Sequence, residues 1–298
     1  MVPESILDWS RIVTELGWHA SLPQRIIREL GRTENGQTLP NSIEDFFGKH
    51  AEGYSKSWSH AHGDDLAALI RAIRPRRTEV ALDVATGTGF TALALSHSVG
   101  HVTGLDMTDE MLGQARLLAA KQGVTNVRFE LGDAMTIDYP DSSFDLVTAR
   151  RATHHFANVP RFLREAKRVL RPEGRLGIVD MSPPEGSERF SNKIERLRDK
   201  SHIQAFTPRA WKSMVLGVGF RIDSAEVISE PVTFRGWLYP VEPGGREEEA
   251  VRSAWSLAPT VVKGLLGAEF DGSTVKGWMK SRIVLVASKP LKLNAARN

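Results

Sequence analysis

A glycine-rich segment in the first third of the chain has the residue types needed to bind a ligand through its backbone. Residues 83–89 read Asp-Val-Ala-Thr-Gly-Thr-Gly and precede an apolar, helix-forming run. Glycine permits positive φ and a close approach to a ligand, and the first N–H groups of a helix attract electron-rich atoms. With Ala92 at the third small position, the segment also fits a dinucleotide fingerprint, in which these N–H groups receive a pyrophosphate.

Three aspartates distinguish between these ligand classes. Asp83 directly precedes the turn, where a carboxylate would repel a pyrophosphate but accept hydrogen bonds from a cationic amino group. Asp106 ends the next strand-like run and can accept from two ribose hydroxyls, with Met107 beside it as an apolar surface for a purine. Asp133 and Ala134 follow the third run, where a carboxylate can accept from an adenine amino group. Together they predict a pocket for an adenosine joined to an amino acid.

A second cluster follows the fourth strand-like run, where residues 150–156 read Arg-Arg-Ala-Thr-His-His-Phe. In open α/β sheets the ligand crevice lies at the carboxyl ends of the strands, so we expect these side chains to face it. A neutral imidazole there can take a proton from a hydroxyl or an enol, and Arg151 can hold an anionic group. His154 and His155 are therefore the candidate catalytic residues, with a structural hydrogen-bonding role as the alternative.

Strand-like runs and helical patterns alternate between residues 80 and 180, which predicts a parallel sheet with helices on both faces. We predict strands at 80–84, 101–106, 127–131, 144–149, 175–180, 221–228 and 282–287. We predict helices at 108–122, 160–170 and 187–202, another that begins at Thr207 and Pro208, and a last one from the acidic residues 247–249 to Leu257. Basic residues along the 160–170 helix are expected to face solvent.

The ordered set of motifs resembles the class I S-adenosylmethionine-dependent methyltransferases. The three aspartates are joined by Phe144-Asp145-Leu146-Val147 and by Leu170-Arg171-Pro172-Glu173-Gly174. The chain is most similar to the branch of ubiquinone and menaquinone biosynthesis and its small-molecule relatives, over roughly 46–230 and the last strand. The resemblance implies an α/β, Rossmann-like, doubly wound and mostly parallel seven-stranded sheet, with an antiparallel last strand and helical cap elements.

The same resemblance implies S-adenosylmethionine as the cofactor and S-adenosylhomocysteine as the product. It assigns cofactor binding to Asp83, Ala85, Thr86, Gly87, Gly89, Asp106, Met107, Asp133, Ala134 and, through its backbone, Arg150. Ubiquinone-type enzymes carry an Arg-Asn pair in the turn after the fourth strand, and this chain does not. That particular substrate is therefore not implied.

Residues that can line the acceptor pocket lie in several segments. They are Tyr54, Arg151, Arg198 and His202, although a solvated helix face also explains Arg198 and His202. Three late tryptophans, at positions 237, 255 and 278, favour an acceptor that is partly apolar.

Four segments are expected. Residues 1–45 form a helical lead-in that either covers the pocket or joins two copies in a homodimer, and residues 46–234 form the cofactor-binding core. Residues 235–280 form a helical insertion that serves as a lid, and residues 281–298 hold the last strand and the tail.

Composition limits the function classes. The 298 residues are 41% hydrophobic and 25% charged, which suits a globular protein with a large core. The lack of cysteine excludes disulfides and thiolate chemistry, and no metal site is predicted. A net charge of +3 gives no strong signal for nucleic acid. The sequence shows no apolar run of the ~20 residues that a membrane span needs and no signal peptide, so a cytoplasmic location is expected.

These features predict an enzyme that methylates O, N or C of a small metabolite by in-line displacement. The alternatives are a methyltransferase of RNA or protein and a non-catalytic cofactor-binding protein. A nicotinamide oxidoreductase is disfavoured by Asp83, which faces the place of a pyrophosphate.

Overall fold

The computed structural model describes residue 48 and residues 51–53, 63–239, 241 and 243–291. Tyr54 and the lead-in predicted over residues 1–45 lie outside this part of the chain and stay predictions. None of the helices within it is long and apolar enough to cross a membrane.

The described chain alternates strands and helices up to the fifth strand. The strands are β1 Val80–Val84, β2 His101–Asp106, β3 Val127–Leu131, β4 Phe144–Arg150, β5 Leu170–Met181, β6 Arg221–Thr233, β7 Glu269–Asp271 and β8 Thr274–Ser288. The helices are α1 Asp64–Ile73, α2 Phe90–Ser96, α3 Asp109–Lys121, α4 Val159–Val169, α5 Glu188–Arg198, α6 Pro208–Gly217, α7 Phe234–Leu238, α8 Arg246–Ser256 and α9 Thr260–Leu265. A short 3-10 helix, Thr153–His155, follows β4.

One sheet runs through the molecule in the order β3-β2-β1-β4-β5-β8-β6, and β7 pairs with β8. Strands β1 to β5 are parallel to their neighbours, whereas β8 is antiparallel to both β5 and β6. The predicted doubly wound fold with an antiparallel last strand is confirmed, and β7 is a short addition. Since the order reverses between β1 and β4, a ligand crevice is expected at the carboxyl ends of these two strands.

The predicted strands agree best with the structure at the start of the sheet. The bounds of β1, β2 and β3 match the prediction at both ends. In contrast, β6 extends to Thr233 and β8 begins at Thr274, so residues 274–281 of the predicted insertion and last segment belong to a strand. Pro231 is tolerated because β6 is an edge strand, and Gly277 allows a close approach, since a Cβ there would lie 2.3 Å from the carbonyl oxygen of Val232.

Helix ends follow local capping. The side chain of Asn158 caps α4 by accepting from the N–H of Arg161, and Thr207 caps α6 by accepting from Ala210. Helix α5 ends at Arg198, four residues before the predicted end. His202 therefore lies in the following loop and is buried, so a solvated helix face does not explain it.

A second apolar cluster, here called the satellite core, lies apart from the core of the sheet. It is formed by α5, α7, α8, α9 and the first half of β8, with the buried residues Ile194, Phe234, Trp237, Leu238, Val251, Ala254, Trp255, Ala258, Val262, Leu266, Val275 and Trp278. The ring of Trp278 lies 4.9 Å from the rings of both Trp237 and Trp255. These three tryptophans fill a core, so they do not support an apolar acceptor.

Candidate active site

The turn between β1 and α2, called the glycine turn, has left-handed backbone at three positions. The φ angles are +52° at Ala85, +55° at Gly87 and +86° at Gly89. A Cβ at Gly89 would lie 3.0 Å from Ala115 and from the ring of Phe129, so packing requires glycine there. A Cβ at Gly87 would meet nothing within 4 Å. The turn is thus packed against the protein at Gly89 and faces open space at Gly87. This arrangement leaves room for a ligand beside the backbone of the turn.

Asp83 fixes the glycine turn through side-chain hydrogen bonds. Its side chain is almost fully buried, and its two oxygens accept from the hydroxyls of Thr86, at 2.6 Å, and Thr148, at 2.7 Å. Burial raises the pKa of Asp83 to about 6 even though both hydrogen bonds lower it. These contacts let Asp83 shape the turn, and its direct contact with an amino group stays a prediction.

Asp106 joins the glycine turn to the end of β2. Its carboxylate oxygens accept from the N–H of Gly87, at 2.8 Å, and from that of Thr108, at 3.0 Å. Burial raises its pKa, against the effect of these hydrogen bonds. Met107 beside it is 43% exposed and Leu131, at the end of β3, is 65% exposed. Two apolar side chains therefore stand uncovered next to a buried carboxylate, which suits a purine nucleoside.

The loop after β3 completes this edge of the sheet. One carboxylate oxygen of Asp133 accepts from the N–H of Met135 at 2.8 Å, and the other accepts no hydrogen bond from the described residues. Arg161 of α4 fixes the loop by donating to the carbonyl of Met135 and to the hydroxyl of Thr136. The basic residues of α4 were predicted to face solvent, and for Arg161 this is wrong because the loop supplies acceptors within its reach.

At the end of β4, two arginines share one carboxylate. Arg150 and Arg151 each donate two hydrogen bonds to Asp65 in the first turn of α1, at 2.7–3.0 Å. Burial would raise the pKa of Asp65, but the two guanidiniums hold it well below its usual range. Arg151 has a φ of +53°, and its N–H donates to the carbonyl of Val179. Sequence analysis missed Asp65, which reads as an ordinary acidic residue at the start of a helix.

The first member of the predicted histidine pair, His154, is buried and faces a carboxylate, whereas His155 is half-buried. Nδ1 of His154 lies 2.6 Å from Oδ1 of Asp180, near the end of β5. Asp180 also accepts from the hydroxyl of Thr153 and from the N–H groups of His154 and Met181. Burial raises the pKa of Asp180, but the interaction with the imidazole of His154 and these donors lowers it below its usual value. Asp180 ended a predicted strand, so the strand order was the signal that could have placed it beside His154.

Two further imidazoles adjoin His154. The ring of His155 lies 4.0 Å from it and the ring of His202 lies 5.5 Å from it. Nδ1 of His155 lies 3.0 Å from the carbonyl of Ser201, and Nε2 of His202 lies 2.7 Å from Oδ1 of Asn192. Burial and the electrostatic interaction with the imidazole of His154 lower the pKa of His155 to about 4 and that of His202 to about 3. Both neighbours are therefore neutral at physiological pH.

Arg198, also predicted to line the acceptor pocket, points elsewhere. Its guanidinium donates to Glu195 and to the carbonyls of Trp237 and Tyr239, and it lies over the ring of Trp237. Arg198 thus joins α5 to α7 in the satellite core. Of the four predicted acceptor residues, the structure brings Arg151 and His202 to the site, and Tyr54 lies outside the described residues.

Comparisons with known proteins agree with this geometry. A family model described as a methyltransferase domain matches residues 76–216. The uncharacterized methyltransferase YcgJ of Bacillus subtilis is 36% identical over 208 residues, which are 69% of this chain and 82% of that protein. The chain belongs to the class I S-adenosylmethionine-dependent methyltransferases. This methyltransferase superposes on the crystal structure of YcgJ with a TM-score of 0.73 and 29% identity, covering 77% of this chain and 99% of the other.

Two further relatives of this methyltransferase have named substrates. The 27-O-demethylrifamycin SV methyltransferase of Amycolatopsis mediterranei is 28% identical, with 84% of this chain and 98% of that protein covered. A demethylmenaquinone methyltransferase of Deinococcus radiodurans is 42% identical over 135 residues, which are 44% of this chain and 52% of that protein. The enzyme is thus a methyltransferase of the type that acts on small molecules.

Proposed function

We propose that this enzyme transfers the methyl group of S-adenosylmethionine to a small-molecule acceptor by in-line displacement, with His154 as the general base. The observation that carries the proposal is the buried His154–Asp180 pair. It lies at the carboxyl ends of β4 and β5, and β4 is the neighbour of β1, which leads into the glycine turn. His154 is thus at the same edge of the sheet as the glycine turn and the other residues that suit a nucleoside.

The residues at the β1–β3 edge fit the cofactor. Gly87 leaves open space beside the turn for the methionine part, and Met107 and Leu131 offer uncovered apolar surface to the adenine ring. The free oxygen of Asp133 suits the adenine amino group, and Asp106 keeps a second lone pair on each oxygen for the ribose hydroxyls. When bound, S-adenosylmethionine supplies a methyl group on a positively charged sulfur, which two buried carboxylates at this edge favour.

Asp180 orients the ring of His154. Since Asp180 is ionised and accepts all its hydrogen bonds, the ring nitrogen that faces it, Nδ1, carries the hydrogen. In the neutral imidazole the lone pair is therefore on Nε2, which makes no hydrogen bond to the described residues. When this nitrogen takes a proton, the imidazolium forms next to a fixed carboxylate, which stabilises it.

An acceptor that arrives protonated needs such a base, and a hydroxyl is the main case. As the acceptor oxygen forms its bond to the methyl carbon, its proton passes to Nε2 of His154, and the electron pair of the broken C–S bond stays on sulfur. Similarity to the 27-O-demethylrifamycin SV methyltransferase supports an oxygen acceptor, while the same base serves an N–H or an acidic C–H. His155 and His202 are assigned to positioning, because both stay neutral and pack against the base.

Calorimetric titration tests the cofactor. We expect micromolar binding of S-adenosylmethionine and S-adenosylhomocysteine to the full chain and none of NAD or NADP, and we expect the binding to be lost in Asp106→Ala. Binding of the dinucleotides alone would overturn the proposal. A panel of small hydroxyl compounds, followed by formation of S-adenosylhomocysteine, then tests transfer itself. Tight cofactor binding without turnover on any O–H, N–H or C–H acceptor would favour a non-catalytic cofactor-binding protein.

A further inference from the structure

A third arginine reaches the acceptor end of the sheet from a distant part of the chain. Arg282, near the middle of β8, pairs in register with Met181 of β5, so it stands at the carboxyl end of the parallel strands. Its side chain is 9% exposed and its partner, Glu230 of β6, is 48% exposed. Sequence analysis treated Arg282 only as the start of the last strand.

Arg151 and Arg282 flank the end of β5. The N–H of Arg151 donates to Val179 of β5 from one side, and β8 is paired to β5 on the other. Neighbouring strands lie about 4.8 Å apart, so the two backbones stand about 10 Å apart, a distance that two long side chains can span. Burial and the positive charge of Arg282 lower the pKa of Arg151 to about 10.

Guanidiniums outnumber their carboxylate partners among the described residues of this cluster. Arg150 and Arg151 share the carboxylate of Asp65, and Arg282 pairs with Glu230. The side chain of Arg151 is 11% exposed, so most of its charge is removed from water. Buried charge of one sign is costly unless an opposite charge compensates it. A small anion next to Arg151 and Arg282 would compensate part of this charge.

Both arginines keep donors for such an anion. Arg151 uses Nε and Nη2 on Asp65, and Arg282 uses Nη1 on Glu230. Within the described part of the chain their other guanidinium nitrogens make no hydrogen bond. None of these nitrogens is among the fully buried donors without a partner, so they remain accessible. The planar guanidinium binds carboxylate and phosphate well because it offers two parallel N–H groups.

We propose that Arg151 and Arg282 bind an anionic group of the methyl acceptor, a carboxylate or a phosphate, and so make the enzyme selective for acidic small molecules. The order of the strands supports the acceptor as its source, since the glycine turn follows β1 whereas the two arginines stand on either side of β5. His154 and Asp180, the groups that take the acceptor's proton, lie at the same ends of β4 and β5. This inference rests on the proposed function only for the identity of the ligand that carries the anion.

Inorganic phosphate is the probe for the site. The unfolding temperature of the full chain is measured against phosphate concentration at constant ionic strength with chloride. We expect a saturable rise for the wild type that is roughly tenfold weaker or more in Arg282→Gln, and partly restored in Arg282→Lys. Arg221→Gln, which changes an exposed arginine of β6, is the matched control and should behave as the wild type. A wild type without a saturable rise, or an equal rise in Arg282→Gln, would overturn the proposal.

A second arm distinguishes the acceptor's anion from the carboxylate of the cofactor. Phosphate binding is repeated with saturating S-adenosylhomocysteine and with 5′-methylthioadenosine, which lacks the amino-acid part. Unchanged phosphate binding with both compounds supports an acceptor site. Competition by S-adenosylhomocysteine alone would assign the arginines to the cofactor and overturn the proposal. If neither nucleoside binds, the proposed function fails, while the phosphate titration still reports on the arginines.

Discussion

The buried carboxylates at the two edges of the crevice have different partners and opposite pKa shifts. On the cofactor side, formed by the ends of β1 to β3, Asp83 and Asp106 accept from hydroxyls and backbone N–H groups, and burial raises the pKa of each. On the acceptor side, formed by the ends of β4, β5 and β8, Asp65 and Asp180 face guanidiniums or an imidazole, which lower their pKa values against burial. The buried carboxylates of the cofactor side are hydrogen-bonded to hydroxyl and N–H groups, whereas those of the acceptor side are paired with guanidinium or imidazole side chains.

This difference agrees with the charges of the two proposed ligands. S-adenosylmethionine brings a positively charged sulfur, which the cofactor side can balance. The acceptor side has surplus positive charge and a base, which suits an acidic molecule with a proton to lose. The contrast teaches that burial alone does not fix the charge of an active-site carboxylate, because its nearest partners decide the direction of the shift.

The largest expected effect comes from replacing the general base of the acceptor side, His154. His154→Gln should lower kcat by roughly 10²–10⁴-fold, because it removes the imidazole that is placed to take the proton. Binding of S-adenosylhomocysteine, which belongs to the cofactor side, should stay at the wild-type value. The measurements are product formation with an acceptor found in the panel and calorimetry.

His97→Gln is the control for His154→Gln, since His97 is exposed at the end of α2. It should leave both quantities unchanged. A His154→Gln enzyme with full kcat would remove the general base from the mechanism, and one that no longer binds the cofactor would show that the two sides are not separate.

Asp65→Asn should destabilise the fold by about 3–5 kcal/mol, because two buried guanidiniums lose the carboxylate that they share. Urea-induced unfolding at pH 7 measures the change. Asp64→Asn alters the exposed neighbour in the same helical turn and should stay within about 0.5 kcal/mol of the wild type. Equal effects of the two variants would contradict the charge assignment of the acceptor side.

Asp83 should give the cofactor side a pH dependence of the opposite sign to that of an ion-paired carboxylate. Its pKa in the folded protein is about 6, above the ordinary value of 3.8, so the folded state holds a proton that the unfolded state has lost. Stability should therefore fall as pH rises from about 4 to about 6, by on the order of 2–3 kcal/mol.

Asp83→Asn cannot titrate and should lack this loss. Urea unfolding of both proteins at pH 4, 5, 6 and 7, without cofactor, makes the comparison. If the stability of the wild type and that of the variant change with pH in parallel, the raised pKa of Asp83 is contradicted.

The smallest effect is expected in the glycine turn. Ala85 has a φ of +52°, which costs a residue with a Cβ about 1–2 kcal/mol. Glycine would remove this strain but increase the entropy of the unfolded chain, so Ala85→Gly should stabilise the fold by only about 0.5–1 kcal/mol. Thermal unfolding measures the gain. A loss of stability would show that the methyl group of Ala85 makes contacts worth more than the strain.

The cofactor side could be predicted from the sequence because each of its aspartates lies at or near the carboxyl end of its own strand. Asp83, Asp106 and Asp133 required only the strand periodicity and the glycine spacing, and the structure places all three at one edge. What the sequence did not show was that Asp83 is already occupied by two threonine hydroxyls, one of them 65 residues away.

The acceptor side depends on pairings across long separations. Asp65 and Arg150 are 85 residues apart, and Arg282 reaches the site only because β8 lies between β5 and β6. His154 and His155 could be predicted as a pair, but their different partners could not, since Asp180 and Ser201 come from other elements. The end of α5 could not be predicted either. The helix ends at Arg198 in the satellite core, and the loop after it places His202 beside the base.

Strand β8 has a consequence for building chimeras of this enzyme. Its first half supplies Val275 and Trp278 to the satellite core, and its second half supplies Val284 and Val286 to the sheet. Arg282 stands between these halves. Residues 234–281 therefore cannot be exchanged with those of a relative as a separate cassette, since a crossover within β8 would join two halves selected for different neighbours. Exchanges that carry β6, β8 and everything between them as one block keep both cores and the arginine intact.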